Sequence, residues 1–253
     1  MVPFINRHAL VVFFVLAYAI SWGNFVLSAT WPNIPFLFPF GPLLAAIITA
    51  GVTCGSEGLK DILMRCLRWR VGLKWYAAAL FLPVAIALTV LFLDVLLGAS
   101  MPSSVQLGPW YNLFILFPMA MIDAPLGEEP GWRGYAMPRF PASRSPLENT
   151  LILGVLVAGW HLPLALAGGD IVVPYLIATI ASAVVTNWVY YNAHKSALLA
   201  IIYHTSANTM GLYFFTASTG PELVRMFWLL AVVNCAVAVI LVLVAGQKFR
   251  RQL

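Results

Sequence analysis

Charge is what this sequence lacks first. Of its 253 residues only 9% are Asp, Glu, Lys or Arg, while 62% are hydrophobic, and the mean hydropathy is +0.90. A water-soluble domain of this size cannot cover itself with so little polarity, so lipid must be the solvent for most of its surface. Cysteine is scarce too. Cys54, Cys66 and Cys235 are odd in number and form no CxxC pair, which leaves no disulfide framework and no thiolate metal site. The apolar runs are continuous and do not alternate with polar residues, so a transmembrane barrel is excluded. Backbone amides in hydrocarbon must then be satisfied within helices. HExxH is missing, and so is the internal inverted repeat that marks many transporters.

What the chain does have is a series of apolar segments long enough to cross a bilayer, about 20 residues each. They are expected near 9–29, 35–54, 76–97, 110–127, 149–167, 171–191, 196–217 and 226–246. This is an all-α, polytopic membrane protein, an eight-transmembrane-helix bundle forming a single domain over 1–253. The net charge of +5 is topological and does not signal a nucleic-acid partner. Arg7, Lys60, Arg65, Arg68, Arg70, Lys74, Arg133, Arg139, Arg144, Lys195, Lys248, Arg250 and Arg251 all fall on one side of such a bundle, against Arg225 on the other. By the positive-inside rule that side is the cytoplasm, with both termini there. One span more or fewer would scatter these charges over both faces. The connection 57–75 carries Leu59, Ile62, Leu63, Cys66 and Leu67 at helical spacing opposite basic residues. It reads equally as an amphipathic helix on the anionic inner leaflet and as a plain connector.

Ionisable groups inside a span cost several kcal/mol unless paired or solvated, so each is a functional candidate. Here they cluster. Glu128 and Glu129 end the fourth segment, His161 lies within the fifth, and His204 and Asn208 lie within the seventh. At 1.5 Å per residue, His161 and His204 stand about 18 and 12 Å in from their cytoplasmic starts, so all these groups fall in the inner half of the bilayer. His204 and Asn208 are four apart and share a helix face, from which Thr205 and Ser206 turn away. Glu128 and Glu129 are about 100° apart on a helix and need different tasks. Glu129 precedes Arg133 by four, the favourable order for an ion pair, which frees Glu128 to face the histidines. Pro130 and Gly131 suggest that the fourth span stops near Gly127 and a new helix begins at Pro130. A carboxylate, two imidazoles and an amide suffice for hydrolysis: Glu128 as base on a water, His161 and His204 holding that water or a metal, Asn208 stabilising an oxyanion. The same groups suit a proton- or cation-coupled transporter, and a non-catalytic immunity or scaffold protein is a third reading. Asp94, Asp123 and Asn187 read as packing or interfacial polars, and His8 and His194 as solvated.

These residues resemble the CPBP family of intramembrane proteases, which includes the type II CAAX prenyl endopeptidases and relatives linked to bacteriocin processing and self-immunity. Its EExxxR motif stands as Glu128-Glu129-Pro130-Gly131-Trp132-Arg133, and its HxxxN motif as His204-Thr205-Ser206-Ala207-Asn208. FxxxH is met only at His161, since Val157 occupies the phenylalanine position. The resemblance covers roughly 110–215 and makes that stretch the catalytic core. It implies an eight-helix bundle with a cavity open to the cytosol, in which Glu128 and His161 activate water and His204 and Asn208 complete the site. It further implies Glu129 and Arg133 in support, and a divalent metal, zinc, on Glu128, His161 and His204. The substrate implied is a lipidated or membrane-embedded peptide cut near its C-terminus, with no statement about oligomeric state.

Overall fold

The computed structural model describes residues 2–102, 107–216 and 218–245. Residue 246 of the expected last span and the basic residues Lys248, Arg250 and Arg251 lie outside them. Among the described residues the regular structure is all helical. After a short helical stretch, Val2–Arg7, come α1 (Ala9–Thr30), α2 (Gly41–Cys66), α3 (Leu73–Leu96), α4 (Leu113–Asp123), α5 (Pro125–Glu129), α6 (Pro146–Trp160), α7 (Leu162–Ala167), α8 (Val172–Asn192), α9 (Ala197–Phe214) and α10 (Gly220–Ala245).

Among the described residues five helices are long and apolar enough to cross a membrane: α1, α2 with the turn before it, α3, α8 with the turn before it, and α10. Their outward faces carry large apolar side chains in the open, among them Val11, Val15, Phe81, Phe92, Val239 and Leu243. An exposed apolar surface of that extent fits a lipid solvent. The remaining three expected spans fall short for reasons visible in their residues. The fourth is divided between α4 and α5 at Ala124, whose backbone (φ −132°, ψ −54°) leaves the helical region. The fifth is divided between α6 and α7 at His161, two residues before Pro163. The seventh, α9, is continuous but carries Tyr203, His204, Thr205, Ser206, Asn208 and Thr209 in seven residues.

One expectation needs correction here. The fourth segment does not end at Gly127 with a fresh helix at Pro130. It breaks earlier, at Ala124, restarts on Pro125, and then runs on as a π-helix over Pro130–Ala136 and a 3-10 turn over Met137–Arg139. Proline is tolerated at the opening turn of each piece because no intrahelical bond is asked of its nitrogen. Glu128 and Glu129 therefore lie inside a helical path and not at its end. The connection 57–75 forms no helix of its own. Its first half is the end of α2 beyond a kink at Gly55, where φ of +59° and ψ of −144° suit glycine alone. Gly58 and Ile62 of that half are buried, Ile62 against Gly134 of the π-helix, while Leu63 and Leu67 stay exposed.

The path between α1 and α2 turns back along α1. Asn24 accepts from the Leu37 amide at 2.7 Å and donates to the Pro35 carbonyl at 3.1 Å, and Ser21 donates to the Phe38 carbonyl at 2.7 Å. The turn Phe38–Phe40 is thereby held against the middle of α1, and α2 starts there. Tyr18 and Trp22, one turn apart on the same helix, donate to the carbonyls of Leu156 and Trp160 at the end of α6. Around these joints Phe13, Phe38, Trp132, Tyr135 and Trp160 form a buried aromatic core. A second core joins α3, α8 and α9 through Ala79, Val185 and Tyr203, and a third joins α3, α9 and α10 through Val90, Met210 and Met226.

Candidate active site

Between these cores lies a cavity of about 340 Å³, and Glu128, Glu129, Arg133, His161, His204 and Asn208 all line it. Every residue singled out from the sequence as catalytic or supporting is thus brought to one cavity by three separated stretches of chain. Thr205 and Ser206 turn away, as expected, donating to the Ile201 carbonyl and, across to α3, to the Leu80 carbonyl.

The glutamates are placed by two glycines of the same helical path. A Cβ at Gly127 would lie 2.5 Å from the Pro39 carbonyl oxygen, and one at Gly131 2.6 Å from the Pro42 carbonyl. Only hydrogen fits at these two positions, four apart, so α5 and the π-helix seat their bare face on the start of α2. Glu128 and Glu129 face inward and are 3% and 1% exposed.

Glu129 makes more contacts than its sequence role suggested. Arg133 Nη1 donates to both its oxygens, at 2.8 and 2.9 Å, giving the expected i, i+4 pair. Its Oε1 also receives His204 Nδ1 at 2.9 Å, so the histidine is bonded to Glu129 and not to Glu128. A carboxylate oxygen accepts only, so Nδ1 carries the proton and Nε2 is the nitrogen left for the cavity. Arg133 Nε donates in turn to Asn187 Oδ1 at 3.0 Å. Asn187 was assigned to packing. What distinguishes it is its place, an amide in the apolar α8, but only the fold reveals its partner.

His161 shows the same arrangement. Its Nδ1 donates to the Val157 carbonyl at 2.9 Å, which fixes Nε2 as the unprotonated nitrogen. Trp160 and Tyr175 hold the ring edge-on, with centroids 4.6 and 5.6 Å away. The helix break at His161, with its carbonyl bond, is the arrangement an ordinary structural histidine adopts, and it also turns the second nitrogen toward the cavity. Val157, at the phenylalanine position of the motif, is buried and lines the cavity.

Glu128 differs from all of these. Its Oε2 is buried and makes no hydrogen bond of good geometry, although the Trp132 indole N–H approaches the carboxylate. In a low-dielectric interior such an oxygen is costly unless a ligand or a proton completes it. Glu128 and the two imidazoles thus line one space, a donor set suited to a cation once both ring Nε2 atoms are unprotonated. As the side chains stand, however, no group of three or more His, Cys, Asp or Glu among the described residues is disposed to hold a metal ion. The sequence reading passed over Tyr175 and Tyr203 and assigned Asp123 to packing or the interface, yet all three line the cavity. Asp123 and Glu128, five apart, would be about 140° apart on one helix; the break at Ala124 lets both reach the same space.

Residues 109–210 match the family model described as Type II CAAX prenyl endopeptidase Rce1-like. The chain is also 23% identical over 216 residues to CAAX prenyl protease 2 of Methanococcus maripaludis, spanning 77% of this chain and 79% of that protein. The matched interval encloses Glu128, His161, His204 and Asn208, so the similarity to these proteases falls on the stretch that carries the site.

Proposed function

We propose that this chain is an intramembrane endopeptidase that hydrolyses a peptide bond of a membrane-associated or lipidated substrate with water activated by Glu128. The observation that carries this reading is the unpartnered, buried Glu128 Oε2 on a cavity wall shared with two oriented imidazoles and an amide. Glu128 takes one proton of a water as its oxygen attacks the scissile carbonyl carbon, and the carbonyl oxygen becomes an oxyanion. His161 Nε2, held unprotonated by the Val157 carbonyl, accepts the other hydrogen of that water and orients it. The Asn208 amide donates to the oxyanion. His204, with Nδ1 fixed on Glu129, presents Nε2 to the same centre. Protonated Glu128 then gives its proton to the leaving nitrogen as the C–N bond breaks. The catalytic core is 110–215, and Glu129 and Arg133 support it.

The proposal extends to a divalent cation, zinc by the affinity of imidazole for it. Glu128, His161 and His204 would hold it, and it would lower the pKa of a bound water. These side chains would have to close on the ion, and no step above depends on it. Metal analysis of the purified protein tests this part, with one equivalent lost in His204→Ala as the expected result.

The topology belongs to the same proposal: eight crossings, both termini in the cytoplasm, and a cavity opening there. Two contacts favour it. Arg68 donates to the His194 carbonyl and Ser196 donates to the Arg68 carbonyl, which joins two basic connections. At the other end of α3, Asp94 pairs with Arg225, the one Arg assigned to the far side.

In proteoliposomes, Glu128→Gln should lower cleavage of a farnesylated peptide by about 10²- to 10⁴-fold, the worth of a general base, with the unfolding midpoint unchanged. Retained turnover, or Glu128-dependent ion flux without cleavage, would overturn the assignment.

A further inference from the structure

Asn187 is fully buried in α8, a helix that supplies none of the three motifs, and it does not line the cavity. It nevertheless ends a continuous line of hydrogen bonds into the site. Its Oδ1 accepts from Arg133 Nε, Arg133 Nη1 donates to Glu129, and Glu129 Oε1 accepts from His204 Nδ1. Four side chains from α8, the π-helix, α5 and α9 are joined, and the last presents Nε2 to the cavity.

The guanidinium is what makes this line stiff. Its donors lie in one plane at fixed angles, so an acceptor that fixes the direction of Nε–H also fixes where Nη1 points. Arg133 needs such a fix, because Glu129 engages it through Nη1 alone and leaves the plane free to turn about that nitrogen. Asn187 Nδ2, meanwhile, is buried with no partner. The side-chain hydrogen bond that Asn187 makes is therefore through its acceptor alone.

From this geometry we infer that Asn187 is a positioning residue of the hydrolytic site, acting on His204 through Arg133 and Glu129. The inference rests on the peptidase reading for its kinetic test and on the hydrogen-bond line alone for its spectroscopic one. For the first, the protein in proteoliposomes is assayed on a quenched farnesylated peptide. Asn187→Leu should lower kcat by about 10- to 100-fold, the effect of misplacing a reacting group by a fraction of an ångström to an ångström, while KM holds. Asn187→Asp, which keeps the acceptor, should recover most of the loss. In an Arg133→Lys background, Asn187→Leu should cost nothing further, since its only route is through the guanidinium. For the second, ¹⁵N-histidine-labelled protein is compared with the same variants, the His204 signals being identified by their loss in His204→Gln. The His204 Nδ1–H resonance should move alike in Asn187→Leu and Arg133→Lys.

A lowered unfolding midpoint with kcat unchanged would overturn the inference, as would full additivity with Arg133→Lys or an unmoved His204 resonance. If the parent cleaves no peptide yet the resonance moves, the peptidase reading falls and the positioning line stands.

Discussion

Arg133 and Glu129 form a buried ion pair whose members are 4% and 1% exposed, and the energetics of such a pair are asymmetric. Removing one member strands the other charge and costs about 3–5 kcal/mol, whereas replacing both with apolar groups of similar size is close to neutral. Arg133→Met alone should therefore depress the unfolding midpoint in detergent sharply. Glu129→Gln with Arg133→Met should restore much of it without restoring cleavage, since His204 then loses its charged anchor. Thermal unfolding and peptide turnover on the same preparations check this. At this scale the sequence spacing foretold the i, i+4 pair, because both members lie on one continuous helical path, from α5 into the π-helix. It did not foretell that Glu129 also receives His204, or that Asn187 holds Arg133, because those partners are 75 and 54 residues away.

The elements that carry chemistry are those that depart from a plain transmembrane helix. A break at Ala124, a π-helix from Pro130 and a break at His161 each redirect the side chains that follow from where a regular helix would point them. Wide π turns often accompany functional sites for that reason. The seating of α5 on the start of α2 depends on hydrogen at Gly127, where an added Cβ would meet the Pro39 carbonyl at 2.5 Å, while at Gly51 it would meet nothing within 4 Å. Gly127→Ala should thus displace Glu128 and reduce turnover by about 10²-fold, the cost of a misplacement near 1 Å. Gly51→Ala, in the middle of α2, should leave turnover unchanged and raise stability by up to about 1 kcal/mol through helix propensity. Parallel kinetics and unfolding curves of the two variants separate local displacement from general disturbance.

Across the whole molecule, the two ends of α3 carry opposite local chemistry, Arg68 with the His194 carbonyl and the Ser196 hydroxyl at one and the Asp94–Arg225 pair at the other. If both termini are cytoplasmic, single cysteines at Arg68 and at Arg225, in a Cys-free background, should label from opposite sides of sealed vesicles. Labelling from one side would remove the eight-crossing topology. What the sequence determined by itself was the class of solvent, the helical nature of the chain and the identity of its chemical groups. Each follows from local composition and spacing, and a charge inside an apolar run is conspicuous wherever the chain later goes. Only the tertiary structure decided which nitrogen of each histidine is free, which glutamate has an unpartnered oxygen, and that Asn187 serves the site. These depend on where an atom more than 50 residues away comes to rest, and a hydrogen bond exists only when both partners arrive within about 3 Å at the right angle.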